Sequence, residues 1–138
     1  MKIIPCVIGL GYVGLPITLS IANKFLTYGF DINKERIENL KKKIDINNEF
    51  RSQKFGNLKK ITFTNKIADI KKCNFFIICV PTPIHKDKTP NLENLNDAIK
   101  IISKILKKGD IIFIESTAFP GVTEQCKNYF EKKNKFKK

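Results

Sequence analysis

Ile3-Ile4-Pro5-Cys6-Val7-Ile8-Gly9-Leu10-Gly11-Tyr12-Val13-Gly14-Leu15-Pro16 is the stretch that decides the fold of this 138-residue chain. A short apolar run passes into three glycines spaced G-x-G-x-x-G and then into a helical pattern. That order of strand, glycine turn and helix binds a dinucleotide. Gly9 makes the tight turn, Gly11 lets the backbone approach a pyrophosphate, and Gly14 lets the helix pack close on the strand. The helix N-terminus then presents unpaired N–H groups to the phosphates.

Glycines in this pattern also occur in loops that bind nothing, so the reading rests on context. A second apolar run, Phe25-Leu26-Thr27-Tyr28-Gly29-Phe30, ends in Asp31, 17 residues beyond Gly14. A carboxylate at the tip of the second strand accepts the hydroxyls of the adenosine ribose and repels a 2′-phosphate, which favours NAD over NADP. The alternative is that Asp31 caps the helix starting near Lys34.

Apolar runs alternate with helix-period segments along the whole chain, the signature of a parallel sheet covered on both faces. The expected fold is α/β: a doubly wound, mostly parallel Rossmann sheet of about five strands, ending before a sixth. The strands are read at residues 3–8, 26–31, 61–64, 75–80 and 111–114, with strand one regular only from Cys6 because Pro5 cannot donate in a central ladder. Helices are read at residues 13–24, 34–42, 66–70 and 92–106, with a final one from Val122. Ile37, Leu40 and Ile44 share one side of the second helix, and Gly109 stands as the C-cap of the fourth. Residues 45–60 read as polar and irregular, with a short helix over 49–55, and residues 133–138 as a frayed basic tail.

Composition bounds the function. No segment approaches the 18 to 20 uncharged apolar residues of a membrane helix, roughly the length a bilayer needs, and Met1-Lys2 leads straight into the first strand, so a cytoplasmic protein without membrane association is expected. Cys6, Cys73, Cys79 and Cys126 show no C-x-x-C spacing and have a single histidine, His85, for company; no metal site is expected. Cys6 and Cys79 fall within strands and read as small buried hydrophobes. The net charge of +13 comes from lysines scattered over polar helix faces with only two arginines, a chain-wide bias rather than a nucleic-acid patch. His85, in a loop beside Lys86, reads as a surface residue.

Two later runs carry the reading further. Strand four leads into Val80-Pro81-Thr82-Pro83, and strand five into Glu115-Ser116-Thr117-Ala118-Phe119-Pro120-Gly121-Val122-Thr123-Glu124. The prolines hold the Thr82 loop extended, or else simply terminate a strand; Ser116 and Thr117 cap the last helix on the plainer reading. Together with the glycine motif, these runs resemble the N-terminal NAD-binding domain of the UDP-glucose/GDP-mannose dehydrogenase family, with closest likeness to the bacterial UDP-N-acetylhexosamine 6-dehydrogenases of surface polysaccharide synthesis. The resemblance covers about residues 2–132, the NAD-binding domain.

It implies NAD contacts at Tyr12, Val13, Asp31, Arg36, Thr82 and Thr117, beside the glycines. Arg36 otherwise reads as a solvated residue on the second helix. The family oxidises a sugar primary alcohol to a carboxylate in two NAD-dependent steps, which need a base and a nucleophile that holds the aldehyde. In the family that nucleophile is a cysteine in a glycine-rich motif downstream of the NAD-binding domain. None of the four cysteines here sits in one, so no catalytic residue is expected in this chain beyond Thr117 as an auxiliary. A tyrosine is usual where Phe119 stands, and an acid near His85. The expectation is the front part of a longer product, without the nucleotide-sugar domain or the central helix that makes the full-length family homodimeric, and so inactive alone. The alternatives are a free-standing NAD-binding or sensing module, and the NAD half of another two-domain dehydrogenase.

Overall fold

A computed structural model describes residues 2–47, 55, 58–115 and 121–134, without the side chains of 133 and 134. The elements follow in the order β1 (Pro5–Ile8), α1 (Gly14–Ala22), β2 (Thr27–Phe30), α2 (Lys34–Lys41), β3 (Ile61–Thr64), β4 (Phe75–Ile78), α3 (Glu93–Ser103), β5 (Ile111–Ile114) and α4 (Val122–Asn134). Short 3₁₀ turns occupy Leu58–Lys60 and Ile67–Ile70.

The five strands form one parallel sheet in the order β3-β2-β1-β4-β5. The chain winds outward from β1 to β3, then crosses back to β4 and winds the other way. Between β1 and β4 the carboxyl-end loops diverge, and in such sheets that is where ligands bind.

Each face of the sheet builds its own core. On one side Cys6, Ile8, Phe76 and Ile78 meet Leu95, Ala98, Ile99 and Ile102, the stripe that the spacing in α3 predicts, together with Val122, Cys126 and Phe130 of α4. On the other, Val7, Phe63 and Ile77 meet Leu15 of α1 and Ile37 and Leu40 of α2. Complete burial of a side chain such as Phe76 or Ile102 contributes about 1.5–3 kcal/mol. All four cysteines are buried and free. Burial first, and then a hydrogen bond with Cys73, pushes the Cys6 thiol well above its ordinary value.

Several local expectations are corrected. Strand β1 includes Pro5, paired in register with Phe75; proline is tolerated as the first residue of a strand, and Asn74 secures the chain just before it by accepting from the Ile4 amide at 2.8 Å. Ile44 lies beyond α2 and is exposed, because Lys43 adopts a positive φ of 61° and turns the chain away from the helical path. Helix α3 stops at Ser103, so Gly109 is not its C-cap; with φ 92° it serves the turn that the Asp110 amide closes on the Lys107 carbonyl at 3.1 Å. Helix α4 continues to Asn134. The expected 49–55 helix lies almost wholly outside the described residues.

Candidate functional site

The loop from β1 to α1 owes its shape to the three glycines, and they differ in what surrounds them. Gly9 turns the chain with φ 91°, and a Cβ there would meet the Cys79 carbonyl oxygen at 3.0 Å. A Cβ on Gly14 would lie 1.7 Å from the Gly9 carbonyl oxygen and 3.1 Å from the Cys79 Cβ, so only hydrogen fits where α1 leaves the sheet. Gly11 has open space, with nothing within 4 Å of the Cβ position. Helix α1 begins at Gly14 with Val13 as N-cap, no side chain capping it and no acid in its first turn. Its amide end is left available to an anion.

Two cavities meet at this loop. The first, about 320 Å³, has Gly9, Leu10 and Gly11 along one wall, Phe30, Asp31 and Ile32 at one end, and Val80, Pro81, Ala98 and Ile101 opposite. Its apolar walls suit a flat base, and the Asp31 carboxylate supplies acceptors at the rim. The second, about 510 Å³, lies past Gly11 and is bounded by Tyr12, Val13, Asn47, Thr82 and Glu115. Cys79, at the end of β4, borders both. Burial, and then the nearby Glu115 carboxylate, pushes its thiol from 9.0 to about 12. It stays neutral at physiological pH, a wall rather than a nucleophile.

The sequence candidates separate into three groups. Gly9, Gly11, Asp31, Tyr12, Val13 and Thr82 border the cavities, with Tyr12 and Val13 exposed. Gly14 is buried behind the loop as packing. Arg36 borders neither cavity and is not a solvated helix residue: it is buried beneath the loop, donating from Nε and Nη2 to the Leu10 carbonyl at 2.9 and 2.7 Å and from Nη1 to Asp45 at 2.6 Å. Thr117 lies outside the described residues. Asp31 does not cap α2, whose N-cap is Asn33; it accepts from the amides of Leu10 and Asn33, both at 2.9 Å. His85 is exposed.

Sequence reasoning passed over Asn94, Asp97, Asp45 and Asn47. Asn94 and Asp97 border the first cavity, and the Asn94 amide donates to the Pro81 carbonyl at 3.1 Å, clasping α3 to the Thr82 loop. Their signal was available, since they fall one turn apart on α3 beside Ala98 and Ile101. Asp45 had none: it is buried between two exposed isoleucines, Ile44 and Ile46, the reverse of what its neighbours suggest. Among the described residues no group of histidine, cysteine and acidic side chains has the arrangement of a metal site, and no helix is long and apolar enough to cross a membrane.

A parallel doubly wound sheet with a glycine turn, an open helix N-terminus and an acid at the tip of β2 defines a Rossmann-type dinucleotide-binding domain. The chain belongs to the UDP-glucose/GDP-mannose dehydrogenase family, whose NAD-binding domain model matches residues 1–138. NAD is accordingly its cofactor. It is 45% identical over 127 residues to a UDP-N-acetyl-D-glucosamine 6-dehydrogenase of Pseudomonas aeruginosa, covering 91% of this chain and 30% of that protein. The structure is similar to that of a UDP-D-ManNAc dehydrogenase from Pyrococcus horikoshii, with a TM-score of 0.87, 32% identity and coverage of 99% of this chain and 34% of the other. A UDP-N-acetyl-mannosamine dehydrogenase from Staphylococcus aureus gives a TM-score of 0.85 at 27% identity, covering 98% and 34% of the two chains. The chain thus spans about 30% of the length of the curated relatives it matches.

Proposed function

We propose that this chain is the cofactor-holding part of a cytoplasmic NAD-dependent nucleotide-sugar 6-dehydrogenase, which oxidises the C6 alcohol of a UDP-N-acetylhexosamine to a uronate for surface polysaccharide synthesis. The observation that carries the reading is the junction of the two cavities at Gly11, with Asp31 on one side and Thr82 on the other. Adenosine occupies the first cavity, its ribose hydroxyls donating to Asp31. The pyrophosphate crosses Gly11 toward the amides of Tyr12, Val13 and Gly14. The nicotinamide end enters the second cavity near Thr82, with Thr117 as a further contact. Arg36 takes part through the loop it supports. Bound NAD supplies the hydride acceptor; the chain's own work is to bind it, orient it and shield it from water.

The nucleophile for the second oxidation is not among the four cysteines, all of which are buried. Nucleotide-sugar binding and homodimer formation are accordingly assigned to parts of the family outside these residues, and the 138-residue chain alone is expected to be silent toward a UDP-sugar. Calorimetric titration tests the cofactor assignment. NAD binds, and NADP binds at least about tenfold more weakly, the cost of placing a phosphate against the Asp31 carboxylate. NADP binding as tight as NAD would sink the role of Asp31. Turnover of UDP-N-acetylglucosamine by this chain alone would overturn the division of labour.

A further inference from the structure

The buried ion pair under the glycine loop is not explained by cofactor contact. Asp45 and Arg36 meet at 2.6 Å with side chains 0% and 9% exposed. A buried pair of this kind is a weak source of net stability, because desolvation offsets the attraction, and a role in fixing geometry fits it better. The geometry here is specific. Arg36 grips the Leu10 carbonyl with two nitrogens, while Asp31 accepts the Leu10 amide from the other side. Leu10, the residue before Gly11, is thus held at both its amide and its carbonyl. The Asp45 carboxylate also accepts the backbone amide of Asn47 at 3.2 Å, and Asn47 borders the second cavity beside Gly11.

From these contacts we infer that Asp45 is a positioning residue for the pyrophosphate: through Arg36 it fixes the glycine loop, and through its own acceptance of the Asn47 amide it fixes the facing wall. The chain after α2, which sequence reading treats as irregular, is then part of the cofactor site. The inference rests on the NAD reading proposed above.

Asp45→Asn keeps the shape and removes the charge. Dissociation constants for ADP-ribose, which carries the pyrophosphate, and for adenosine, which does not, are measured by displacement of NADH fluorescence. The expected result is an ADP-ribose constant about tenfold higher, the scale of one lost charge-assisted hydrogen bond, with adenosine changed less than about twofold. Arg36→Lys, which cannot bridge Leu10 and Asp45 with a planar fork, shows the same split. Equal losses for both ligands, or none, overturn the assignment, since a merely structural role does not distinguish them. On the unmodified chain, the Arg36 Nε–H resonance shifts when ADP-ribose is added; a resonance that stays in place also overturns it. Failure of the unmodified chain to bind NADH at all would instead sink the NAD reading.

Discussion

The two halves of the sheet are finished differently. Around β1 and β2 both faces are covered, and the strand tips are tied to one another: Asp31 to the Leu10 amide, Arg36 to the Leu10 carbonyl, and the Asp31 amide to the Thr64 carbonyl at 3.2 Å. β4 is still covered on both faces, by Phe76 and Ile78 on one side and Ile77 on the other, but at the edge strand β5 only one face is covered. Ile112 and Ile114 pack against the core under α3 and α4, while Ile111 and Phe113 on the opposite face are 50% and 51% exposed. The first half spends its polar side chains on fixing a loop; the second presents apolar surface. The difference separates a cofactor site whose described parts are internally braced from a sheet edge that is not.

The most damaging way to break the braced half is Gly14→Ala. Its Cβ would lie 1.7 Å from the Gly9 carbonyl oxygen, and relief requires moving either the loop or α1 off the sheet. A loss of at least about 4 kcal/mol is expected, at the severe end for a single substitution, seen as loss of the cooperative thermal transition. Gly11→Ala adds the same methyl three residues away, into open space. It should leave the melting temperature within about 2 °C and raise the NAD dissociation constant more than about tenfold, since the methyl stands where the pyrophosphate must approach. If the two variants behaved alike, the distinction between packing glycine and ligand glycine would fail.

That distinction marks what the sequence makes legible. The strands, α3's apolar stripe, the glycine turn and the place of Asp31 all follow from local pattern, because periodicity and glycine geometry act over a few residues. What the pattern does not carry is pairing across the fold. Arg36 read as a contact to ligand or as a solvated side chain because nothing nearby in sequence shows that Leu10, 26 residues earlier, lends it a carbonyl. Asp45 was invisible for the same reason. Pro5 misled in the other direction: a general rule about central strands gave way to its position as the first residue of one.

Cys79 lies on the seam between the halves, against Gly14 and facing Glu115, and its ionisation tests how tightly that seam is closed. An unfolded thiol ionises near 9.0 and folded Cys79 near about 12, so on raising pH the unfolded state loses its proton first. This contribution to stability is complete below about pH 9 and is lost as pH climbs toward 12. Melting temperatures between pH 8 and 11 should fall less steeply for Cys79→Ala than for the unmodified chain. Parallel slopes would show the thiol to be solvated.

Phe113→Ser probes the open half, and its expected effect on stability is the smallest. A half-exposed ring on an uncovered sheet face loses little by truncation, so the melting temperature should move by less than about 2 °C, corresponding to under about 0.5 kcal/mol. The visible change belongs to association. An edge strand with apolar side chains on an uncovered face is a template for unwanted pairing, and light scattering should report less self-association in the variant. A large drop in melting temperature would mean that Phe113 is covered in solution. The edge strand would then be as finished as the strands at the centre of the sheet, and the contrast would fail.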